Sequence, residues 1–190
     1  WTRCVPAAGG AAGDIPVTLE VGTDSRLTQL LARVELTALA AYDHTVRCKV
    51  TGLPPGTPLY YRFTAGRDRS ALGQAKTAPA AGSAPAQVRF AWFTCQDWSV
   101  NHWGAMSLMV QEDLDFVVHV GDYIYETIGA AFQAGAAEPA HTPIVLPDGQ
   151  TLADGTRAAL TLEDYRTLYR TYRSDPRLQA IHAKIGRAHV

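Results

Sequence analysis

The chain has 190 residues, 47% of them hydrophobic and 18% charged, which suits one ordinary domain and a fraction, or two small ones, and excludes a disordered tail. Seventeen basic residues against eighteen acidic ones give a formal net charge of -1, so composition offers no basic patch and no nucleic-acid-binding surface is evident. No apolar run approaches the roughly 18 residues that a membrane-spanning helix needs.

Nearly all the basic residues are arginines, and only Lys49, Lys76 and Lys184 are lysines; the arginines read either as a phosphate-binding set or as GC-rich codon usage, which their scatter along the chain favours. The chain opens at Trp1-Thr-Arg3 without a Met or an apolar leader, so a start truncated from a longer protein is expected. Segment 184–190 resembles one reading frame of a sequencing adapter and is expected to be a non-native tail.

From Ile15 to Thr77 short alternating stretches are separated by regularly spaced turn residues. Val17–Val21 alternates and stops at Gly22-Thr-Asp24, and Arg33–Thr37 alternates again. A strand over 44–51 places Val46, Cys48 and Val50 on one face. Leu53-Pro-Pro-Gly-Thr57 is a turn, and Leu59–Phe63 alternates up to Ala65-Gly66. The pattern predicts a small antiparallel sandwich over residues 1–77. Thr51 to Phe63 resembles the corner of fibronectin type III domains in which a Tyr is the anchor. Cys4 and Cys48 have two readings: a disulfide between neighbouring strands, or two free thiols, which the apolar company of Cys48 favours. Residues 78–87 are small and Pro-punctuated, and read as a linker.

From residue 88 to 183 the pattern changes class. Val88–Phe93 is an apolar strand that runs into Thr94-Cys-Gln96. Trp103–Val110 has helical spacing, and Asp115–Val120 is a second, almost unbroken apolar strand that stops at Gly121-Asp122. Strand, helix and strand make a parallel βαβ unit, expected to be covered on both faces. Its geometry puts Cys95 and Asp122 at the carboxyl ends of adjacent strands, on the sheet edge where open α/β sheets bind ligands. Tyr125 follows three residues later. A thiol, a carboxylate and a phenol are costly to bury as anions unless a cation neutralises them. A metal ion would do so, and the phenolate favours a hard ion such as Fe(III) over Zn.

Thr94-Cys-Gln96, followed by Asp115-Phe-Val-Val-His-Val-Gly-Asp-Tyr-Ile-Tyr-Glu126, resembles the PhoD-like alkaline phosphatase/phosphodiesterase family of calcineurin-type metallophosphatases. Trp1-Thr-Arg3 and Asp43-His-Thr-Val46 resemble that family's N-terminal domain. The resemblance covers residues 1–126 well, and 127–183 only in order and character. It implies two domains, an all-β fibronectin- or immunoglobulin-like sandwich and the N-terminal part of an α/β (α+β) metallophosphatase domain.

It further implies an enzyme that hydrolyses phosphate mono- or diesters. Cys95 and Tyr125 match positions that bind Fe(III), and Asp122 matches the carboxylate that bridges to Ca²⁺. The ions supply an activated water and neutralise phosphoryl charge. A phosphate ester as substrate, and a periplasmic, extracellular or cell-wall location, are implied in the same way. The family's later Asp- and His-containing segments do not occur in this chain, so the fragment itself is expected to be inactive. The competing functional reading is a non-catalytic extracellular module whose sandwich recognises a cell-surface or carbohydrate partner.

Other candidates have blander readings. His119 lies inside an apolar strand and reads as a hydrogen-bonded core histidine or as a partner of a ligand. Trp98, His102 and Trp103 either wall a pocket or pack a loop against a helix. Asp97 and Glu126 are near the candidate ligands in sequence only. Segment 129–155 is aperiodic and long, and reads as a lid or as an inert insertion. Thr161-Leu-Glu-Asp164 predicts a capped helix on which Tyr165, Leu168, Tyr169 and Tyr172 share one face, a stripe that reads as core packing or, alternatively, as a substrate-binding surface. Ser174-Asp-Pro-Arg177 opens a second helix.

Overall fold

The computed structural model describes residues 1–6, 13–85, 87–184 and 187–189. Contacts divide the chain into two units, one built on residues 1–88 and the other on residues 89–182.

The first unit contains β1 (Thr2–Arg3), β2 (Ile15–Gly22), β3 (Leu30–Ala38), β4 (Thr45–Val46), β5 (Pro58–Ala65), β6 (Asp68–Arg69) and β7 (Gly73–Lys76). Among the described residues its pairings are all antiparallel: β3, β2, β5 and β6 lie side by side, β7 also pairs with β5, and β1 pairs with β4 as a separate ribbon. The period-two pattern decides which face is core. Val17, Leu19 and Val21 of β2 are buried with Leu59 and Phe63 of β5, Ala38 and Val46. On the other face of β2, Thr18 and Glu20 bond with Glu35 and Arg33 of β3. A Cβ at Gly73 would collide with the Tyr61 ring, so glycine lets β7 approach β5 there.

The strand expected over 44–51 is a two-residue β4, although Cys48 and Val50 still pack against the core. The alternation is real and only the ladder is short. Cys4 and Cys48 are free thiols. Arg3 donates to both carboxylate oxygens of Asp43 at 2.9 Å, which ties β1 to the turn before β4.

The second unit contains β8 (Phe90–Phe93), α1 (Gly104–Met109), β9 (Phe116–His119), β10 (Thr127–Ile128), β11 (Gln150–Thr151), β12 (Arg157–Ala158), α2 (Leu162–Tyr172), α3 (Pro176–Lys184) and β13 (Arg187–His189). β8 and β9 pair in parallel, with Phe90 opposite Phe116 and Phe93 opposite His119. The expected βαβ order is therefore present, but among the described residues cover on both faces is not. Phe90 is 53% and Trp92 63% exposed, whereas Ala91 and Phe93 are half-buried, so β8 has one packed face and one face open to solvent. β13 pairs in parallel with β9. The segment expected to be a tail thus contains a short strand; backbone pairing at a free sheet edge requires no particular side chains.

The aperiodic stretch 129–155 is more ordered than its composition suggests. β11 and β10 flank β12 in a small antiparallel sheet, and Gln133, Glu138 and Leu146 are buried. Helix α2 begins as its sequence predicts. Thr161 is the N-cap and accepts from the Asp164 backbone N–H. Burial alone would raise the Asp164 carboxyl, but the N–H groups of Leu160, Thr161 and Asp148 donate to it and bring it down to about 2. Only half of the aromatic stripe on α2 is core: Leu168 and Tyr172 are buried, whereas Tyr165 and Tyr169 are exposed.

Candidate functional site

The parallel pairing of β8 and β9 brings their carboxyl ends together, and the ladder runs on beyond both strands. Val120 N–H donates to Phe93 O at 3.1 Å, Cys95 N–H to Gly121 O at 3.3 Å and Gln96 N–H to Asp122 O at 3.2 Å. The Thr94 hydroxyl also donates to Gly121 O at 2.9 Å, and Asn101 Nδ2 donates to Cys95 O. The strand ends are fixed to each other by backbone groups, independently of the site side chains.

Three side chains converge there. Cys95 Sγ lies 3.5 Å from Asp122 Oδ2, and the Tyr125 hydroxyl donates to the same oxygen at 3.1 Å. The Tyr125 phenol is raised well above its ordinary value, first by burial and then by its contacts with Cys95 and Asp122. Cys95 (φ 55°) and Asp122 (φ 53°) both have left-handed backbone, and Gly121 between β9 and Asp122 has φ 129°. A non-glycine residue held there costs about 1–3 kcal/mol, and such strain gathers at sites that hold side chains in a set geometry.

Cys95 and Asp122 are exposed and Tyr125 is half-buried, so the expectation that buried anions demand a cation does not describe this site. The chemistry of the donor set makes the case instead. A thiol, a carboxylate and a phenol around one point are three oxygen or sulfur donors, two of which lose protons on binding a cation. They suit a hard ion with a tolerance for thiolate. They do not form a finished cage: among the described residues no group of three His, Cys, Asp or Glu side chains is arranged to hold a metal ion.

A cavity of about 410 Å³ opens beside Cys95, lined by Thr94, Gln96, Asn101, His102, Trp103 and Met106 among others. His102 and Trp103 therefore wall it. Trp98 is buried instead, stacked on His141 with ring centres 3.7 Å apart. Asp97 is also structural: its carboxylate accepts from Ser99 N–H at 2.7 Å, Val100 N–H at 3.1 Å and Gln133 Nε2 at 2.6 Å. Glu126 is exposed. His119 is a core histidine whose Nδ1 accepts from Gly121 N–H at 3.3 Å, and whose ring meets Phe93 edge-on.

Several supporting residues fall outside those the sequence points to. The Tyr172 hydroxyl accepts from Trp98 N–H at 3.1 Å and Tyr125 N–H at 3.4 Å, joining α2 to both strand-end loops; burial pushes this phenol up to about 12. The Tyr123 hydroxyl and His182 Nε2 lie 2.7 Å apart. His141 Nδ1 donates to Trp98 O at 2.7 Å, and its Nε2 lies 2.9 Å from Asp175 Oδ2. Arg177 donates to that Asp175 oxygen at 2.7 Å and lies 3.8 Å from Glu138, which holds His102 Nδ1 at 2.6 Å. Tyr172 lies on the aromatic stripe that the helix pattern marks, but its hydroxyl's role is not local; His141 and Glu138 come from the aperiodic stretch, and their side-chain partners Asp175 and His102 are 34 and 36 positions away in the chain.

Similarity to known proteins extends over both units. Residues 90–190 match the family "PhoD-like phosphatase", and residues 1–79 match "PhoD-like phosphatase, N-terminal domain". The chain is 34% identical over 187 residues to alkaline phosphatase D of Bacillus subtilis (strain 168), an alignment that takes in 96% of this chain and 30% of that protein. The solved structure of PhoD superposes with a TM-score of 0.79 at 31% identity, covering 96% of this chain and 33% of the other. The chain thus spans about a third of the length of the relatives it matches. With both of its parts matched and the strand-end motifs in place, the chain belongs to the PhoD-like phosphatase family.

Proposed function

We propose that the protein to which this chain belongs hydrolyses phosphate mono- or diesters at a metal centre held in part by Cys95, Asp122 and Tyr125. The observation that carries this reading is the meeting of Cys95 Sγ and the Tyr125 hydroxyl on Asp122 Oδ2, at 3.5 and 3.1 Å. Cys95 and Tyr125 would hold Fe(III), and Asp122 would bridge to Ca²⁺. Bound there, the ions would supply an activated water and offset charge on the phosphoryl oxygens.

The chain's own residues do the positioning. Backbone bonds between the strand ends fix Cys95 against Asp122. Tyr172 holds Tyr125 by its backbone N–H, which leaves the Tyr125 phenol free to turn towards Asp122. Exposure of Cys95 and Asp122 keeps the site open to an anionic ester.

In this reading the first unit is a fibronectin-like module, and the protein works outside the cytoplasm, in the periplasm, the cell wall or the medium. The described residues bring three donors together where hard ions take about six or more, so the isolated chain turns over no phosphate ester. The test is hydrolysis of p-nitrophenyl phosphate and its bis-ester by a longer protein that contains this chain, with and without Asp122→Ala. Metal-dependent turnover that Asp122→Ala abolishes is expected. Undiminished turnover in Asp122→Ala would refute the site, and turnover by the 190 residues alone would refute the ligand count.

A further inference from the structure

Gln96 stands between the two strand ends and has an unusual balance of bonds. It is 2% exposed. Its backbone N–H donates to Asp122 O at 3.2 Å, and its side-chain Nε2 donates to Tyr123 O at 2.8 Å. One residue next to Cys95 thus grips the two successive peptide units that flank Tyr123, just after Asp122. Gln96 Oε1, in contrast, is buried with no hydrogen-bond partner among the described residues.

A side chain kept for packing alone would not be an amide with a stranded acceptor. Burying a carbonyl without a partner is destabilising, and an apolar side chain of the same length would avoid that cost. What an apolar side chain could not do is donate to Tyr123 O. That donation matters because Cys95 and Asp122 both have left-handed backbone, which must be held from outside the two residues themselves.

We infer that Gln96 is a positioning residue of the Cys95–Asp122–Tyr125 site: its amide clasps the turn after β9, so that Asp122 stays in place against the Cys95 thiol. The inference rests on the metal-site reading above for its functional meaning, and on the two hydrogen bonds for its geometry.

Gln96→Met keeps the length, removes the stranded oxygen and removes the donor. Its two effects on stability oppose each other, so the melting temperature stays within about 4 °C of the parent. The site responds differently. Co²⁺, followed by its thiolate charge-transfer band, binds about 10–100-fold more weakly, the usual loss when a group that orients a ligand is removed. Alkylation of Cys95 by iodoacetamide in the metal-free protein, resolved from Cys4 and Cys48 by peptide mass spectrometry, becomes severalfold faster as the thiol leaves Asp122.

Parental Co²⁺ affinity and alkylation rate in Gln96→Met would overturn the inference. So would a melting temperature that falls in step with affinity, which would mark Gln96 as a packing residue. These measurements are made on a longer protein that contains this chain; if that protein, unsubstituted, binds no Co²⁺, the metal reading fails, and the alkylation rate alone decides whether Gln96 holds Cys95 to Asp122.

Discussion

The Tyr125 hydroxyl donates to Asp122 Oδ2, the same oxygen that lies 3.5 Å from Cys95 Sγ. A single carboxylate oxygen therefore collects the two protons that a cation would displace. Tyr125 and Asp122 share one loop, but Cys95 arrives from another strand, 27 positions earlier in the chain. Only the parallel pairing of β8 and β9 brings it there.

In the proposed metal site, the left-handed backbone at Asp122 sets stability against function. Asp122→Gly relieves strain of about 1–3 kcal/mol, at a cost of about 1 kcal/mol in chain entropy. Chemical denaturation of the metal-free chain should find the variant equal to the parent or up to about 2 kcal/mol more stable, while the proposed metal binding of a longer protein containing this chain is lost. Clear destabilisation would show that the Asp122 side chain supports the fold.

Much of this arrangement is legible in the sequence, and the limits have physical causes. The period-two runs of β2 and β5, the Thr161–Asp164 cap and the strand ends at Cys95 and Asp122 are local patterns, and local patterns survive folding. The ladder length of β4 depends on what pairs with it, so Cys48 and Val50 keep their core side without a strand. Exposure of Phe90 and Trp92 depends on what lies across the sheet, which an apolar run cannot reveal. His141 and Glu138 have no period at all; their roles come from Asp175, Arg177 and His102, far along the chain.

The buried group around His141 carries a second prediction. His141 and Asp175 have side chains only 2% exposed, and Arg177 completes the pair. Asp175→Ala leaves Arg177 and His141 without their carboxylate, and should destabilise the second unit by about 3 kcal/mol. Unfolding monitored by the fluorescence of Trp98, which stacks on His141, reads this directly. A loss below about 1 kcal/mol would mean that the group is incidental to stability.

The same residue fixes a pH dependence. Burial alone would raise the Asp175 carboxyl, but hydrogen bonds from Arg177 and His141 bring it from 3.8 down to about 2. The folded pKa lies below the unfolded one, so the contribution is complete above the unfolded value and fades as the pH falls through the folded one. Each tenfold gain in acidity on folding is worth roughly 1.4 kcal/mol, so acid titration of stability should show a loss of about 2 kcal/mol between about pH 4 and pH 2. Asp175→Asn should flatten that limb.

Tyr172 offers a test of how α2 supports the strand ends. Tyr172→Phe leaves the N–H groups of Trp98 and Tyr125 without their acceptor, at a cost of about 1–3 kcal/mol. Because one of those N–H groups belongs to Tyr125, the same variant should weaken metal binding as well as stability. An effect on stability with unchanged metal affinity would separate α2 from the site.

The most direct test of the metal centre is the visible spectrum of a longer protein containing this chain, loaded with Fe(III) and compared with its Tyr125→Phe and Cys95→Ser variants. A phenolate bound to Fe(III) absorbs visible light by charge transfer. The metal-centre reading predicts a coloured protein, loss of the band in Tyr125→Phe, and weakened iron binding in Cys95→Ser. A colourless, iron-free protein that still hydrolyses phosphate esters would contradict it.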